Sequence, residues 1–210
     1  MKDWKLILKV ILGSTLLVLA AIWGLAKMAG GGTALTIDQN TLLDGARLVK
    51  ENGETKVTVV NFSDMECPAC KRAHELTKSL DNTPGVKVIF RHFPLGIHQY
   101  SSITARAVET ARLSGKGWEM IDLLFSKQEE WSSKSKIEEK LTEYAISLGI
   151  DGKTFSDDLN SASVAAAVQD DIKLGDSLKL SGTPTIFVNG EQVAADFVVD
   201  KVNELLKQNK

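Results

Sequence analysis

Cysteine is nearly absent from this chain, with two in 210 residues, too few for the several pairs that hold a disulfide-stapled mini-fold together. A positive excess is also missing. The formal net charge is −2, and of the first 32 residues four are lysine (Lys2, Lys5, Lys9 and Lys27) and one is acidic (Asp3), so the remainder is net acidic. That balance excludes a domain whose affinity rests on neutralising nucleic-acid phosphates. There is no internal repeat and no low-complexity segment, and 43% hydrophobic residues with 25% charged exclude overall disorder. What remains is a chain with one substantial core and room for an inserted lobe.

One long apolar run is present, near the N-terminus. From Val10 to Ala26 no residue is charged, and apolar character extends to Leu6 on one side and Met28 on the other. A helix over residues 6–29 would be about 36 Å long, enough to cross a hydrocarbon core of about 30 Å. The lysine excess before the run puts the N-terminus in the cytoplasm and the rest outside. Residues 1–32 therefore read as a membrane anchor with a flexible Gly30-Gly31-Gly32 tether. The same pattern also fits a cleaved signal peptide, which would leave the mature chain secreted.

Lys56 to Phe62 is a β-branched run of the kind that forms a buried central strand. It is followed at once by Cys67-Pro68-Ala69-Cys70. Pro68 suits a first helical position, and Ala73, Leu76, Thr77 and Leu80 continue an apolar stripe until Pro84-Gly85. Val86 to Phe90 reads as a second strand, giving a βαβ unit with a parallel pair. Residues 98–180 carry helical patterns only: Ser101–Ser114, Trp118 to about Trp131, a helix opened by a Ser135/Glu138 capping box, Asp151–Asn160, and Ser161 to about Leu180. Strand character resumes at Thr185–Val188. Asn189-Gly190 turns the chain into an antiparallel partner, Glu191–Ala194, and Asp196 is placed to cap a last helix.

Both cysteines belong to one motif, so its chemistry is the centre of the reading. A helix N-terminus offers free N–H groups and the positive end of the dipole to the first sulfur, which favours the thiolate at Cys67. Cys70, one turn further in, is placed to close a disulfide or to attack a mixed disulfide on Cys67. A zinc site built from Cys67, Cys70 and His74 with His92 or His98 lacks a second CxxC or a spaced histidine pair, so no metal is expected. The three histidines read as packing or solvated residues. Pro184, in Ser181-Gly182-Thr183-Pro184, marks the first residue of a strand or a bulge.

These stretches, VTVVNFSDMECPACKRA at 57–73, GKGWEMIDLLFSKQ at 115–128 and IKLGDSLKLSGTPTIFVNG at 172–190, together resemble the DsbA-like branch of the thioredoxin superfamily. The resemblance covers the chain from about residue 56 onward. It implies an α/β thioredoxin-like fold, split into residues 33–97 and 181–210 by an inserted helical domain at 98–180; the N-terminal transmembrane helix read from the apolar run precedes it. It implies a cis Thr183–Pro184 bond opposite a redox-active Cys67–Cys70 disulfide, with Thr183 and Pro184 positioning the substrate and no cofactor. The implied activity is extracytoplasmic thiol–disulfide exchange at a bacterial cell membrane, in the direction of dithiol oxidation. Partners would be unfolded cysteine-containing polypeptides, a quinone-linked oxidase or a reductant, and the lipid bilayer, with a monomer as default. Rival readings are a reductase or isomerase using the same cysteines, and a tethered chaperone-like module without redox turnover.

Two departures bear on the direction of reaction. Where the family commonly carries an acid six positions before the first cysteine, this chain has Asn61, which cannot accept a proton. Between Pro68 and Cys70 stands Ala69 where the family's strong oxidant has a histidine. Glu66 beside Cys67, with Asp64 near, disfavours the thiolate, while Lys71 and Arg72 offset them. Apolar surface around Met65, Phe93 and Pro94 is a candidate grip for unfolded chains.

Overall fold

The computed structural model describes Ser14, Thr15, Val18 and residues 35–208. The chain divides into two compact units, Met1–Leu35 and Thr36–Lys210. The expected membrane span at 6–29 lies outside the described residues; among those described, no helix is long and apolar enough to cross a membrane.

The second unit runs in the order α1 (Gln39–Leu43), β1 (Leu48–Glu51), β2 (Val57–Ser63), α2 (Pro68–Thr77), β3 (Val86–His92), α3 (Ser101–Leu113), α4 (Gly117–Ser126), α5 (Gln128–Trp131), α6 (Ile137–Ser147), α7 (Gly152–Leu159), α8 (Ala162–Ser177), β4 (Thr185–Val188), β5 (Glu191–Val193) and α9 (Val198–Gln208). Five strands form one mixed sheet in the order β1-β3-β2-β4-β5. β2 pairs parallel with β3 in the register Val57↔Val86 through Ser63↔His92, as a right-handed βαβ unit requires, and antiparallel with β4. Every residue of β2 is buried, because helices cover both faces of a central strand.

The two faces are distinct. Val57 and Val59 pack with Ala73 of α2 and Val198 and Val202 of α9. Val60 and Phe62 face the other way, into Leu42 of α1, Ile89, Phe93 and Phe187. A third core joins α3 to α7 through Met120, Leu124, Trp131, Leu141 and Phe155, and it takes in Met65, Cys67 and Cys70. The two cysteines thus sit where the helical segment meets the end of β2.

Several local expectations are corrected. The helix expected from Trp118 to Trp131 is two, broken at Lys127. Trp131 turns back so that its Nε1–H donates to the Leu124 carbonyl at 2.7 Å. No capping box forms at Ser135 and Glu138, because Lys136 holds the N-cap position without a side-chain bond. Asp196 lies inside a 3-10 turn, Ala195–Phe197, ahead of α9. Two elements had no sequence signal: α1, capped by Asp38 accepting from Asn40 N and Thr41 N, and the edge strand β1.

Across β3, α3 and α8 lies a buried ionic cluster. Asp171 accepts from Arg91 Nη1 at 2.9 Å and from the His92 N–H at 3.0 Å, with Arg47 Nη2 at 3.1 Å. Glu109 accepts from Arg112 Nε at 2.6 Å and faces His92 Nε2 at 3.3 Å. Arg91 also donates to the carbonyls of Leu42 and Asp44, tying α1 to β3.

The hairpin joining β4 to β5 contains Gly190 at φ +86°, where an added Cβ would meet the Ile37 carbonyl oxygen; the Ile37 N–H donates to the Gly190 carbonyl and holds the two backbones together. Gly190→Ala is therefore expected to destabilise the protein by about 2 kcal/mol or more, through left-handed strain and backbone collision together. Denaturant unfolding of the two proteins checks this; a loss below about 0.5 kcal/mol would contradict it.

Candidate active site

At the end of β2 the chain makes one turn and enters α2, and that junction places both sulfurs. Cys67 is the N-cap residue of α2, with extended backbone and no side-chain cap bond, and Pro68 follows as the first helical residue. Cys67 is 7% exposed and Cys70 0%, both as free thiols. The Cys67 thiol points at the Thr183 carbonyl oxygen, 3.6 Å away, and the Thr183–Pro184 bond is cis. Cys70 accepts from the Asp64 N–H at 3.5 Å. Burial pushes the Cys70 thiol up to about 12, against the opposing pull of the Thr183 hydroxyl, the Asp64 N–H and the Ser63 hydroxyl.

The turn itself is held by Asp64. Its Oδ1 accepts from Glu66 N at 2.8 Å and Ser101 Oγ at 2.6 Å; its Oδ2 accepts from Leu95 N at 2.8 Å and faces His98 Nδ1 at 2.8 Å. Gln128 closes the other side, donating from Nε2 to the carbonyls of Met65 at 2.7 Å and Cys67 at 3.1 Å. Sequence reasoning missed both roles. Gln128 stood inside the 115–128 stretch without a function, and a polar residue ending an apolar helix face was its one signal.

Several expected electrostatic roles are redirected. Glu66 accepts from the Tyr100 N–H at 2.5 Å, and Asp64 is fully engaged in the turn. Lys71 faces Glu129 at 3.2 Å and Arg72 faces Asp196 at 2.7 Å, so these cations answer other carboxylates than the two beside Cys67. Met65 and Phe93 are buried, at 1% and 7%, and offer no open apolar surface. Ile97, in the loop pinned by Asp64 at Leu95 and His98, is 84% exposed instead. Ala69 is exposed, and Asn61 is buried in β2 with no hydrogen-bond partner for its Oδ1.

The metal alternative can be tested on the donors. Each histidine faces a carboxylate: His74 Asp122, His92 Glu109 and His98 Asp64. Among the described residues, His92, Glu109 and Asp171 bring ligand atoms within 4.8 Å of one another. Three guanidinium groups, from Arg47, Arg91 and Arg112, already answer those two carboxylates, so a divalent cation would meet positive charge on three sides.

Comparison with known proteins agrees with the geometry. The sequence family described as thioredoxin matches residues 48–208. Among solved structures, a thioredoxin-like oxidoreductase from Silicibacter pomeroyi superposes with TM-score 0.67 at 25% identity, covering 82% of this chain and 98% of that one. The oxidised form of BdbD from Bacillus subtilis gives TM-score 0.66 at 25% identity, covering 79% and 93%. A Na(+)/H(+) antiporter, NhaA 3, from Salinispora tropica is 37% identical over 142 residues, 66% of this chain. The match spans 21% of that protein, so the chain covers about a fifth of the length of such curated relatives.

The raised Cys70 thiol has a consequence for stability. A thiol titrating higher in the folded than in the unfolded protein stabilises the fold below about pH 8.5, its unfolded value, and loses that contribution as pH rises toward 12. The melting temperature of the reduced protein should therefore fall more steeply between pH 8.5 and 10.5 than that of Cys70→Ala. Parallel curves for the two proteins would contradict the burial account.

Proposed function

This chain belongs to the thioredoxin family and is a thiol–disulfide oxidoreductase of the DsbA type, and from that premise we propose that it passes a Cys67–Cys70 disulfide to cysteines of secreted or envelope proteins outside the cytoplasm. The observation that carries the reading is the pairing of a Cys67 thiol at the start of α2, 3.6 Å from the Thr183 carbonyl, with a wholly buried Cys70 behind it.

The roles follow from that placement. A substrate thiolate attacks Cys67 Sγ, the Cys67–Cys70 bond breaks, and Cys70 leaves with the electron pair and takes a proton. A second substrate thiolate then attacks its own sulfur in the mixed disulfide and releases Cys67 as thiolate. The substrate leaves oxidised by two electrons, and the protein is left as the dithiol. Cys67 keeps 7% exposure and Cys70 none, so entry through Cys67 is the less obstructed route. The Thr183 backbone gives an extended substrate segment a strand edge beside Cys67, with Pro184 fixing its end, which holds the attacking sulfur in line. Ile97, exposed on the loop that Asp64 ties to the active-site turn, supplies apolar contact to unfolded polypeptide.

In this reading residues 1–32 anchor and tether the chain, with 6–29 in the bilayer, and 98–180 form a helical domain inserted between the two parts of the thioredoxin-like domain, 33–97 and 181–210. Re-oxidation falls to a quinone-linked membrane oxidase, because a catalyst that donates its disulfide needs an electron acceptor to recover it.

The test is the reduction potential of the Cys67–Cys70 couple in the full chain, equilibrated with glutathione buffers. The expected value lies between about −120 and −180 mV, in the range of oxidants and isomerases. A value near about −270 mV would place the chain with reductases. Cys67→Ser should show no reversible couple, and a couple surviving in that variant would overturn the assignment of Cys67.

A further inference from the structure

Each turnover requires Cys70, buried at 0% exposure, to gain or lose a proton, and the carboxylates near it are already committed. Asp64 accepts from four donors, Glu66 from Tyr100 N, and Asp81 from Lys50 and Lys78. Asn61, on the buried face of β2 beneath α2, is a neutral amide. A titratable group without such a commitment to the turn is His74, which follows Cys70 at i+4 on α2 and so shares its helix face one turn on.

His74 occupies a boundary. On its inner side is a small cavity of about 20 Å³, lined by Asn61, Thr77, Asp81, Trp118 and His74 among apolar neighbours. Two polar atoms of residues around it have no hydrogen-bond partner among the described residues: Asn61 Oδ1, an acceptor, and Trp118 Nε1, a donor. That is room for one water with a donor and an acceptor to hold it. On its outer side His74 lines a solvent-open groove with Glu75, Lys78, Glu119, Asp122 and Phe125. Its Nε2 bonds Asp122 Oδ1 at 2.8 Å, an oxygen that also takes Lys78 Nζ at 2.5 Å. Burial would raise the Asp122 carboxyl, but the bonds from His74 and Lys78 outweigh that and hold it down to about 2, so it is an anion at neutral pH. Asp122 thus fixes the ring through Nε2 and leaves Nδ1 to exchange a proton.

We infer that His74, oriented by Asp122, exchanges the Cys70 proton with solvent by way of a water in the Asn61–Trp118 cavity. The inference rests on the thiol–disulfide reading above. When the Cys67–Cys70 bond breaks under attack by an external thiolate, Cys70 takes the electron pair and the His74 imidazolium supplies the proton through the water. The imidazole then recovers a proton from the groove. In the reverse sense it removes the proton, so that Cys70 can attack a mixed disulfide on Cys67. In this scheme His74 acts on the sulfur through water rather than by contact, so it is a proton-transfer residue.

The test is reduction of the oxidised full chain by dithiothreitol between pH 5 and 8, with rates divided by the dithiothreitol thiolate concentration. In the parent protein the corrected rate should fall as pH rises through the histidine range. In His74→Gln it should be about 10-fold lower at pH 5.5 and flat with pH, while alkylation of Cys67 by iodoacetamide in the reduced protein keeps its rate. Asp122→Asn, which removes the anion behind the imidazolium, should move the step to lower pH and keeps the test alive should His74→Gln not fold. Adding Asn61→Asp to His74→Gln should restore part of the low-pH rate by returning an acid to the cavity. A parent-like profile in His74→Gln, or a loss by one factor at every pH, would overturn the inference. Absence of any exchange in the parent protein would instead sink the parent reading.

Discussion

The carboxylate of Asp64 is the point on which the site depends. It is 1% exposed and takes four donors from three places: the turn itself, the loop after β3, and the first turn of α3. A carboxyl group is tolerated at such depth because its oxygens are answered by hydrogen bonds. Through it the end of β2, the loop carrying Ile97 and the helical segment are held in one geometry. Its backbone N–H reaches the Cys70 sulfur. The side chain that fixes the turn thus belongs to the residue that touches the resolving thiol.

From that junction the asymmetry of the two sulfurs follows. Cys67 sits outside the first turn of α2 and faces the Thr183 carbonyl. Cys70 sits three residues later, on the face that packs into the core shared with the helical segment. One pair of identical side chains is split by the pitch of a helix into a partner that keeps 7% exposure and one that keeps none. The sheet makes this possible, since β2 is buried along its whole length and its end cannot drift. Gln128, from the short helix after Lys127, closes the remaining side by holding the carbonyls of Met65 and Cys67.

The parallel βαβ unit, the Cys67–Cys70 motif at its turn and the run of helices from Ser101 onward were legible in the sequence, because each rests on local pattern. Strand β1 was not. Leu48–Glu51 is short, alternates buried and exposed residues and is defined by pairing with β3, information that lies about 40 residues away. The three histidine–carboxylate pairs were hidden for the same reason, being tertiary meetings across 34, 48 and 17 positions. Met65 and Phe93 were read from sequence as apolar surface near the cysteines, since their burial depends on tertiary packing. In the fold Met65 enters the helical core, while Phe93 lies against Gly175 of α8. The cations Lys71 and Arg72 stand next to Cys70 in sequence, but helix geometry turns them outward to Glu129 and Asp196.

The central claim is that Cys67 meets the substrate and Cys70 resolves. It is tested most directly by trapping: Cys70→Ser, incubated with a reduced unfolded protein activated as a mixed disulfide with a chromogenic thiol, should accumulate a covalent complex that peptide mapping places on Cys67. Cys67→Ser, treated in the same way, should accumulate almost none, because the Cys70 sulfur is closed off in the core. Equal complex formation by the two variants, or linkage through Cys70, would contradict the account.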